Sequence, residues 1–349
     1  MSSRKPKGSS RKSERPRREN PPELSLGIDL GATKTVSVLI DRSGHIVHRG
    51  ERVAHSNDGP DRVLDVVARS VRDCLRSAPD APKSAGIAIA AQVDPERGTV
   101  VSAPNLRWRD VPVGPLLEAE LGIPVRVVND ARAATFAEWK LGAGRGERDV
   151  FCLVLGTGVG GSAVVGGRLL DGGAHALGEV GHLTLIAGGR PCHCPNHGCF
   201  EAYVGGWAIA ERAQESVAAA RRVGELLGRA WTGGTTITAA TVFAAARARD
   251  ALAERLVRET EQYLCDGAVS VVNAFNPNLL ILAGGMISSQ PHWPALVGAA
   301  VKARCQLPAS GARVVPAQFG EEAGVVGAAA WARADQPLPQ GTARGPRRR

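Results

Sequence analysis

Over the first third of the chain, apolar residues come in short runs broken by Gly-rich turns. Leu26-Gly27-Ile28 and Thr35 to Ile40 read as strands joined through Asp29-Leu30-Gly31-Ala32-Thr33-Lys34, and His45 to His48 resumes the sheet after a turn. From Pro60 to Arg76 the period changes: Val63, Val66, Val67 and Val71, with Cys74 or Leu75, fall on one face of a helix. A buried strand at Ala85 to Ala90 leads into a turn over Gln92 to Gly98 and a loop over Asn105 to Trp108. A short helix at Leu116 to Leu121 then precedes a strand at Val125 to Val128 that ends at Asn129-Asp130, with a helix over Ala131 to Leu141.

The first layout recurs at Val150 to Leu155, where a strand meets Gly156-Thr157-Gly158-Val159-Gly160-Gly161 and Ser162 to Val165 continues the sheet. Two strand, glycine-turn, strand units about half a chain apart predict a duplicated α/β fold. Helices are expected over Trp207 to Arg229, Ala239 to Ala248 and Ala251 to Val272. A strand at Asn278 to Leu282 enters Gly284-Gly285, a late strand covers Val314 to Ala317, and a small-residue helix over Glu322 to Ala334 closes the fold.

Charge changes the picture only at the ends. Residues 1–20 hold eight Lys or Arg against two Glu, and the stretch from Gln336 adds four Arg; removing both from the total of +9 leaves −1 for everything between. The basicity therefore belongs to two tails, 1–23 and 336–349, whose Ser, Pro, Gly and Arg cannot build a core and are expected to be disordered. The tails are the one place where nucleic acid would be met; no nucleic-acid or membrane partner is otherwise expected. No apolar run reaches membrane-spanning length and the N-terminus lacks the apolar centre of a signal peptide, so a cytoplasmic protein with reduced thiols is expected.

Candidate chemistry gathers between Gly178 and Glu201, which reads GEVGHLTLIAGGRPCHCPNHGCFE. Cys192, Cys194 and Cys199 fall within eight residues, with His182 ten residues upstream of the first. Three thiolates and an imidazole make a closed tetrahedral set for structural Zn2+, whereas a C-x-C spacing suits a disulfide poorly. His175, His193 and His197 are also near, but a strand beginning at His182 would return that residue to the cysteine loop. The two glycine turns leave backbone N–H groups pointing into a common space, which suits phosphate oxygens. Asp130 carries two compatible readings: N-cap of the helix that follows, or general base at the carboxyl end of a strand, where ligands bind in α/β folds.

This combination resembles the ROK family (repressors, open reading frames and sugar kinases), with the likeness running from Leu24 to Ala334. Its most specific part is E-x-G-H at Glu179 to His182 followed by C-x-C-x4-C-x-E at Cys192 to Glu201. D-x-G-x-T at Asp29, N-D at Asn129, G-T-G-x-G-G at Gly156 and G-G at Gly284 follow in the family's order. The resemblance implies an actin-like ATPase (ribonuclease H-like) fold of two similar α/β domains facing a cleft. One would be residues 24–129 completed by the helix at about 320–335, the other residues 130–319. It also implies ATP-dependent phosphorylation of a hexose at C6, glucose first, with Asp130 as the base. Asn105, Asn129, Glu179, His182 and Glu201 would bind the sugar. ATP would lie on Asp29, Gly31, Thr33, Lys34, Gly156, Thr157 and Gly158, with Asp29 orienting Mg2+ and Gly284-Gly285 under the adenosine. His182 would serve twice, one ring nitrogen on zinc and the other toward sugar, and the chain would form a homo-oligomer, dimer or tetramer.

Two departures stand out. The family usually carries Pro-Gly where this chain has Ala90-Ala91-Gln92, and commonly Gly where this chain has Pro195. An N-acetylglucosamine, N-acetylmannosamine or other hexose kinase is the alternative enzyme. The alternative of another class is a sugar-responsive regulator, which would need a helix-turn-helix ahead of Asp29, where only 28 residues without an apolar period stand.

Overall fold

The computed structural model describes residues 23–334 except 32, 56–58, 77, 79 and 220–224, so both basic tails, apart from Glu23, lie outside the described residues. The first half begins with β1 (Ser25–Leu30), β2 (Lys34–Ile40), β3 (Ile46–Arg49) and β4 (Val53–Ala54), followed by α1 (Pro60–Arg76) and β5 (Ala85–Ile89). Three strands come next, β6 (Gln92–Asp94), β7 (Thr99–Ala103) and β8 (Trp108–Val111), then α2 (Val113–Leu121), β9 (Val125–Asn129) and α3 (Asp130–Lys140). The second half opens with β10 (Val150–Leu155), β11 (Val159–Val165) and β12 (Arg168–Leu169). After the cysteine segment come α4 (Glu201–Val204), α5 (Gly206–Ala219), α6 (Glu225–Thr232), α7 (Ala239–Arg247) and α8 (Ala251–Phe275). The chain closes with β13 (Leu279–Ala283), α9 (Gly285–Ser289), α10 (Trp293–Arg304), β14 (Arg313–Pro316) and α11 (Ala323–Ala332).

The duplication is visible in the strand order. One sheet runs β3-β2-β1-β5-β9, with β4 on β2, and the other runs β12-β11-β10-β13-β14. In each, an antiparallel hairpin (β1 with β2, β10 with β11) stands beside a parallel pair of strands, so β1 corresponds to β10 and β9 to β14. The register pairs Asp29 with Val36 in one hairpin and Leu155 with Val159 in the other, which brings both glycine turns to the carboxyl ends of their leading strands. This is the actin-like arrangement the motifs imply.

α3 and α11 lie between the two sheets. Their buried residues, Ala133, Phe136 and Ala137 with Val325, Val326 and Ala329, share one apolar cluster with Val38 and Ala88 of the first sheet and Cys152 and Ile281 of the second. A helix walled on all sides needs no polar face, and every residue from Ala131 to Trp139 of α3 is buried. Small residues let the two helices touch: a Cβ on Gly327 would come 1.8 Å from the Ala133 carbonyl oxygen.

Several sequence expectations need correction. Gln92 to Gly98 contains a strand, and Asn105 to Trp108 is a one-turn 3-10 helix, Pro104–Leu106, entering β8; together β6, β7 and β8 form a separate small sheet. The helix expected over 207–229 is present as α5 and α6 on either side of residues 220–224, and α10 is an additional helix. Among the described residues no helix is long and apolar enough to cross a membrane.

Candidate active site

The candidate residues collect at the carboxyl ends of β1, β9, β10 and β13. At the first turn the Gly31 N–H donates to the Lys34 carbonyl at 3.0 Å, the Gly31 carbonyl lies 3.1 Å from His55 Nε2, and Thr33 and Lys34 stand exposed. At the second, the Gly156 N–H donates to the Gly158 carbonyl at 3.0 Å, leaving open space around Gly156. Gly158 has no such room, because a Cβ there would come 2.4 Å from Glu201 Oε2. Gly284 closes β13 with φ 96°, where a Cβ would meet the Leu155 carbonyl at 2.3 Å; its neighbour Gly285 opens α9. Both demands, positive φ and no side chain, select glycine at 284. Asn105 lies exposed on the 3-10 turn between β7 and β8.

Asn129 and Asp130 divide their duties differently from the expectation. Asn129 is the N-cap of α3: its Oδ1 accepts the Arg132 N–H at 3.1 Å, and its Nδ2 donates to the Ala91 carbonyl at 3.2 Å. Asp130 is therefore the first helical residue and not the cap. Its carboxylate accepts the adjacent Ala131 N–H at 2.8 Å, and burial holds its pKa above the ordinary aspartate range against the opposing hydrogen bonds of Ala131, its own backbone and the Asn129 side chain. Burial first, and the Asp130 charge second, push Asp29 up to about 6, with Lys34 and Arg52 opposing. Two carboxyls that feel each other in a poorly solvated place either keep a proton or accept a cation.

Glu179 joins the same space. Burial raises its pKa; His182 and Arg132 oppose the rise, and the charges of Asp130 and Glu201 add to it. Glu201, first residue of α4, accepts the Val159 N–H at 2.8 Å through Oε2. Asp29, Asn129, Asp130, Glu179, His182 and Glu201 are thus linked by contact or by charge.

His182 ends a 3-10 turn, Val180–His182, and not the start of a strand. The turn presses on β11, since a Cβ on Gly181 would lie 2.0 Å from the Val159 carbonyl, and sheet pairing is reduced to isolated bridges, Thr184 with Cys199 and Pro191 with His197. His182 Nδ1 lies 3.8 Å from Cys192 Sγ, Cys194 Sγ lies 3.6 Å from Cys199 Sγ, and the four candidate ligand atoms all fall within 4.8 Å of one another. A tetrahedral zinc with legs of roughly 2.0 Å to nitrogen and 2.3 Å to sulfur spaces its ligands about 3.5–3.8 Å apart, so the set fits. Burial and the neighbouring sulfurs push the Cys199 thiol up to about 12, so holding it as thiolate takes a cation. The other ring nitrogen, Nε2, faces Glu179 Oε2 at 3.9 Å. The three remaining histidines do not complete the set: His175 pairs with Asp171, His193 lies against Trp207, and His197 stands exposed.

One brace went unread in the sequence. Buried Arg132 forms an ion pair with the Asp171 carboxylate and donates Nη2–H to the Asp171 carbonyl at 2.7 Å, while His175 Nδ1 contacts the same carboxylate. It ties the first turn of α3 to the segment leading into Glu179, across 39 residues and with no spacing signal to reveal it.

Comparison with known proteins identifies the family. Residues 25–335 match the ROK family model. A glucokinase of Streptomyces coelicolor is 32% identical over 328 residues, covering 90% of this chain and 99% of that protein. A glucokinase of Halalkalibacterium halodurans is also 32% identical, covering 86% of this chain and 92% of its own length. The crystal structure of a ROK family glucokinase from Streptomyces griseus in complex with glucose and AMPPNP superimposes with a TM-score of 0.77 at 31% identity. That match spans 89% of this chain and 99% of the other. With nearly its whole described length matched in sequence and in fold, the chain belongs to the ROK family.

Proposed function

We propose that this ATP-dependent sugar kinase moves the γ-phosphoryl group of ATP to the C6 hydroxyl of glucose. The observation that carries the reading is the meeting of Asp130 with Asp29 on one side and Glu179 on the other. Phosphoryl transfer asks a protein chiefly to position reactants and stabilise charge, and one base, glycine cradles and a divalent cation are sufficient machinery. Asp130 would take the proton from the C6 hydroxyl as that oxygen bonds to the γ-phosphorus and the bond to the bridging oxygen of ADP breaks. A carboxylate made more basic by burial suits that task.

Asn105, Asn129, Glu179, His182 and Glu201 are assigned to the remaining hydroxyls. The turns at Gly31–Thr33 with Lys34 and at Gly156–Gly158 would hold the phosphates, and Gly284-Gly285 would lie under the adenosine. Asp29 would hold hydrated Mg2+, which supplies charge neutralisation to the phosphates. His182, Cys192, Cys194 and Cys199 would hold a structural zinc, which would supply rigidity between the loop carrying Glu201 and the turn carrying Glu179 and His182. Residues 24–129 with the C-terminal helix, and residues 130–319, would form the two lobes that close on the substrates.

The relatives' names favour glucose over N-acetylglucosamine or N-acetylmannosamine. A panel of hexoses and N-acetylhexosamines with ATP, with products identified by NMR, tests this. Fastest turnover of glucose, phosphorylated at C6, is expected. Faster turnover of an N-acetylhexosamine would reassign the substrate, and no transfer to any sugar would sink the reading.

A further inference from the structure

Trp207, in the first turn of α5, touches all three parts of the site. Its indole Nε1–H donates to Glu201 Oε1 at 3.0 Å. Its backbone N–H donates to the Thr157 carbonyl at 3.1 Å, next to the Gly206 N–H on the Gly156 carbonyl at 3.0 Å, so the phosphate turn hangs from the start of α5. Its ring stacks on His193, with centroids 3.8 Å apart and planes 18° from parallel. His193 lies between Cys192 and Cys194 of the metal loop, and its Nε2 is also 3.5 Å from Glu211, one helical turn beyond Trp207. The second oxygen of Glu201 accepts the Val159 N–H at 2.8 Å, on the far side of the same glycine turn.

We propose that Trp207 is a positioning residue that makes the metal loop hold the phosphate turn as well as the sugar-binding Glu201, with the His193 ring as its seat on that loop. Two backbone bonds, one indole bond and one stack converge on a single half-buried side chain and its helix start, whereas Glu201 alone would connect metal loop and phosphate turn through a flexible carboxylate. The stack fixes the indole plane, and the indole N–H on Oε1, opposite the Val159 N–H on Oε2, fixes the direction in which the carboxylate's remaining lone pairs meet the sugar. Loosening the stack therefore disturbs both substrates, while removing only the N–H disturbs the sugar.

The positioning role presupposes the sugar-kinase reading, so the experiment separates the two. Zinc-loaded wild type, His193→Ala, His193→Phe, Trp207→Phe and the His193→Ala/Trp207→Phe pair are compared for zinc content, for KM of glucose and of ATP, and for binding of a fluorescent ATP analogue without sugar. His193 is 64% exposed in its side chain, so its truncation leaves the fold intact. His193→Ala is expected to keep its zinc and to raise KM for both substrates roughly three- to tenfold, the range of an aromatic stack. It should weaken the analogue to the same degree while kcat stays within about twofold. His193→Phe, which keeps a flat ring, should restore both, and Trp207→Phe should raise the glucose KM alone. Unchanged KM values in His193→Ala, no rescue by phenylalanine, or loss of zinc from His193→Ala would each overturn the proposal. A wild type that phosphorylates no sugar would instead sink the reading beneath it.

Discussion

Asp29 is expected to make the magnesium-free protein less stable than it could be. Its carboxyl is pushed from 3.8 to about 6, by burial and then by the charge of Asp130. At 1.36 kcal/mol per unit, keeping Asp29 ionised in the folded protein costs about 3 kcal/mol at neutral pH. The folded protein holds this proton more tightly than the unfolded chain does. The wild type therefore loses stability as pH rises from the unfolded value through about 6, and carries the whole penalty above it. Asn is the same size and carries no charge. Asp29→Asn should thus be more stable than wild type by about 3 kcal/mol at pH 7.5 and by only about 1.5 kcal/mol at pH 5.0, where the folded carboxyl is mostly neutral. Urea unfolding followed by tryptophan emission, without magnesium, reads the difference directly. Magnesium with ATP should narrow it by stabilising the wild type alone. A less stable Asp29→Asn protein at pH 7.5, or a gap that does not shrink at pH 5.0, would refute the penalty that burial and the Asp130 charge place on the ionised Asp29 carboxyl.

Three further outcomes are expected. The acid limb of kcat/KM for glucose should lie above the ordinary aspartate range, because burial raises the Asp130 pKa and the base must be ionised to accept a proton; a limb near 3.8 would contradict that. Cys194→Ser should lose most of its zinc by elemental analysis and raise the glucose KM at least tenfold, the scale of losing a metal ligand, whereas full zinc retention would show that His182, Cys192 and Cys199 hold the ion without it. Gly327→Ala should lower stability by about 1–3 kcal/mol in the same urea assay, since its methyl would meet the Ala133 carbonyl at 1.8 Å and force α3 and α11 apart.

What could be read from the chain followed physical locality. α1 declared itself through one apolar face, and Val63, Val66, Val67, Val71 and Cys74 of that face are all buried. The hairpins of Asp29 and Gly156 were legible because strand, glycine turn and strand are contiguous, and the cysteine–histidine cluster because three of its four members fall within eight residues. The choice of cap was not legible. Asn129 and Asp130 are both able to cap a helix, and only the position of β9 decides that Asn129 does so and that Asp130 is the first helical residue. β6 and β8, of three and four residues, are too short for a two-residue period to stand out, and the mixed surface of α10 hides its helical repeat. The contacts of Arg132 with Asp171 and of Trp207 with Glu201, Thr157 and His193 arise only when separate segments fold together, so no spacing announces them.

Glucose 6-phosphate production by purified, zinc-loaded Asp130→Ala, beside wild type in a coupled assay with ATP, bears most directly on the whole account. A fall of about 10² to 10⁴ in kcat with glucose still bound is the predicted result, the range for losing a general base. Turnover close to that of the wild type would contradict it and move the base elsewhere.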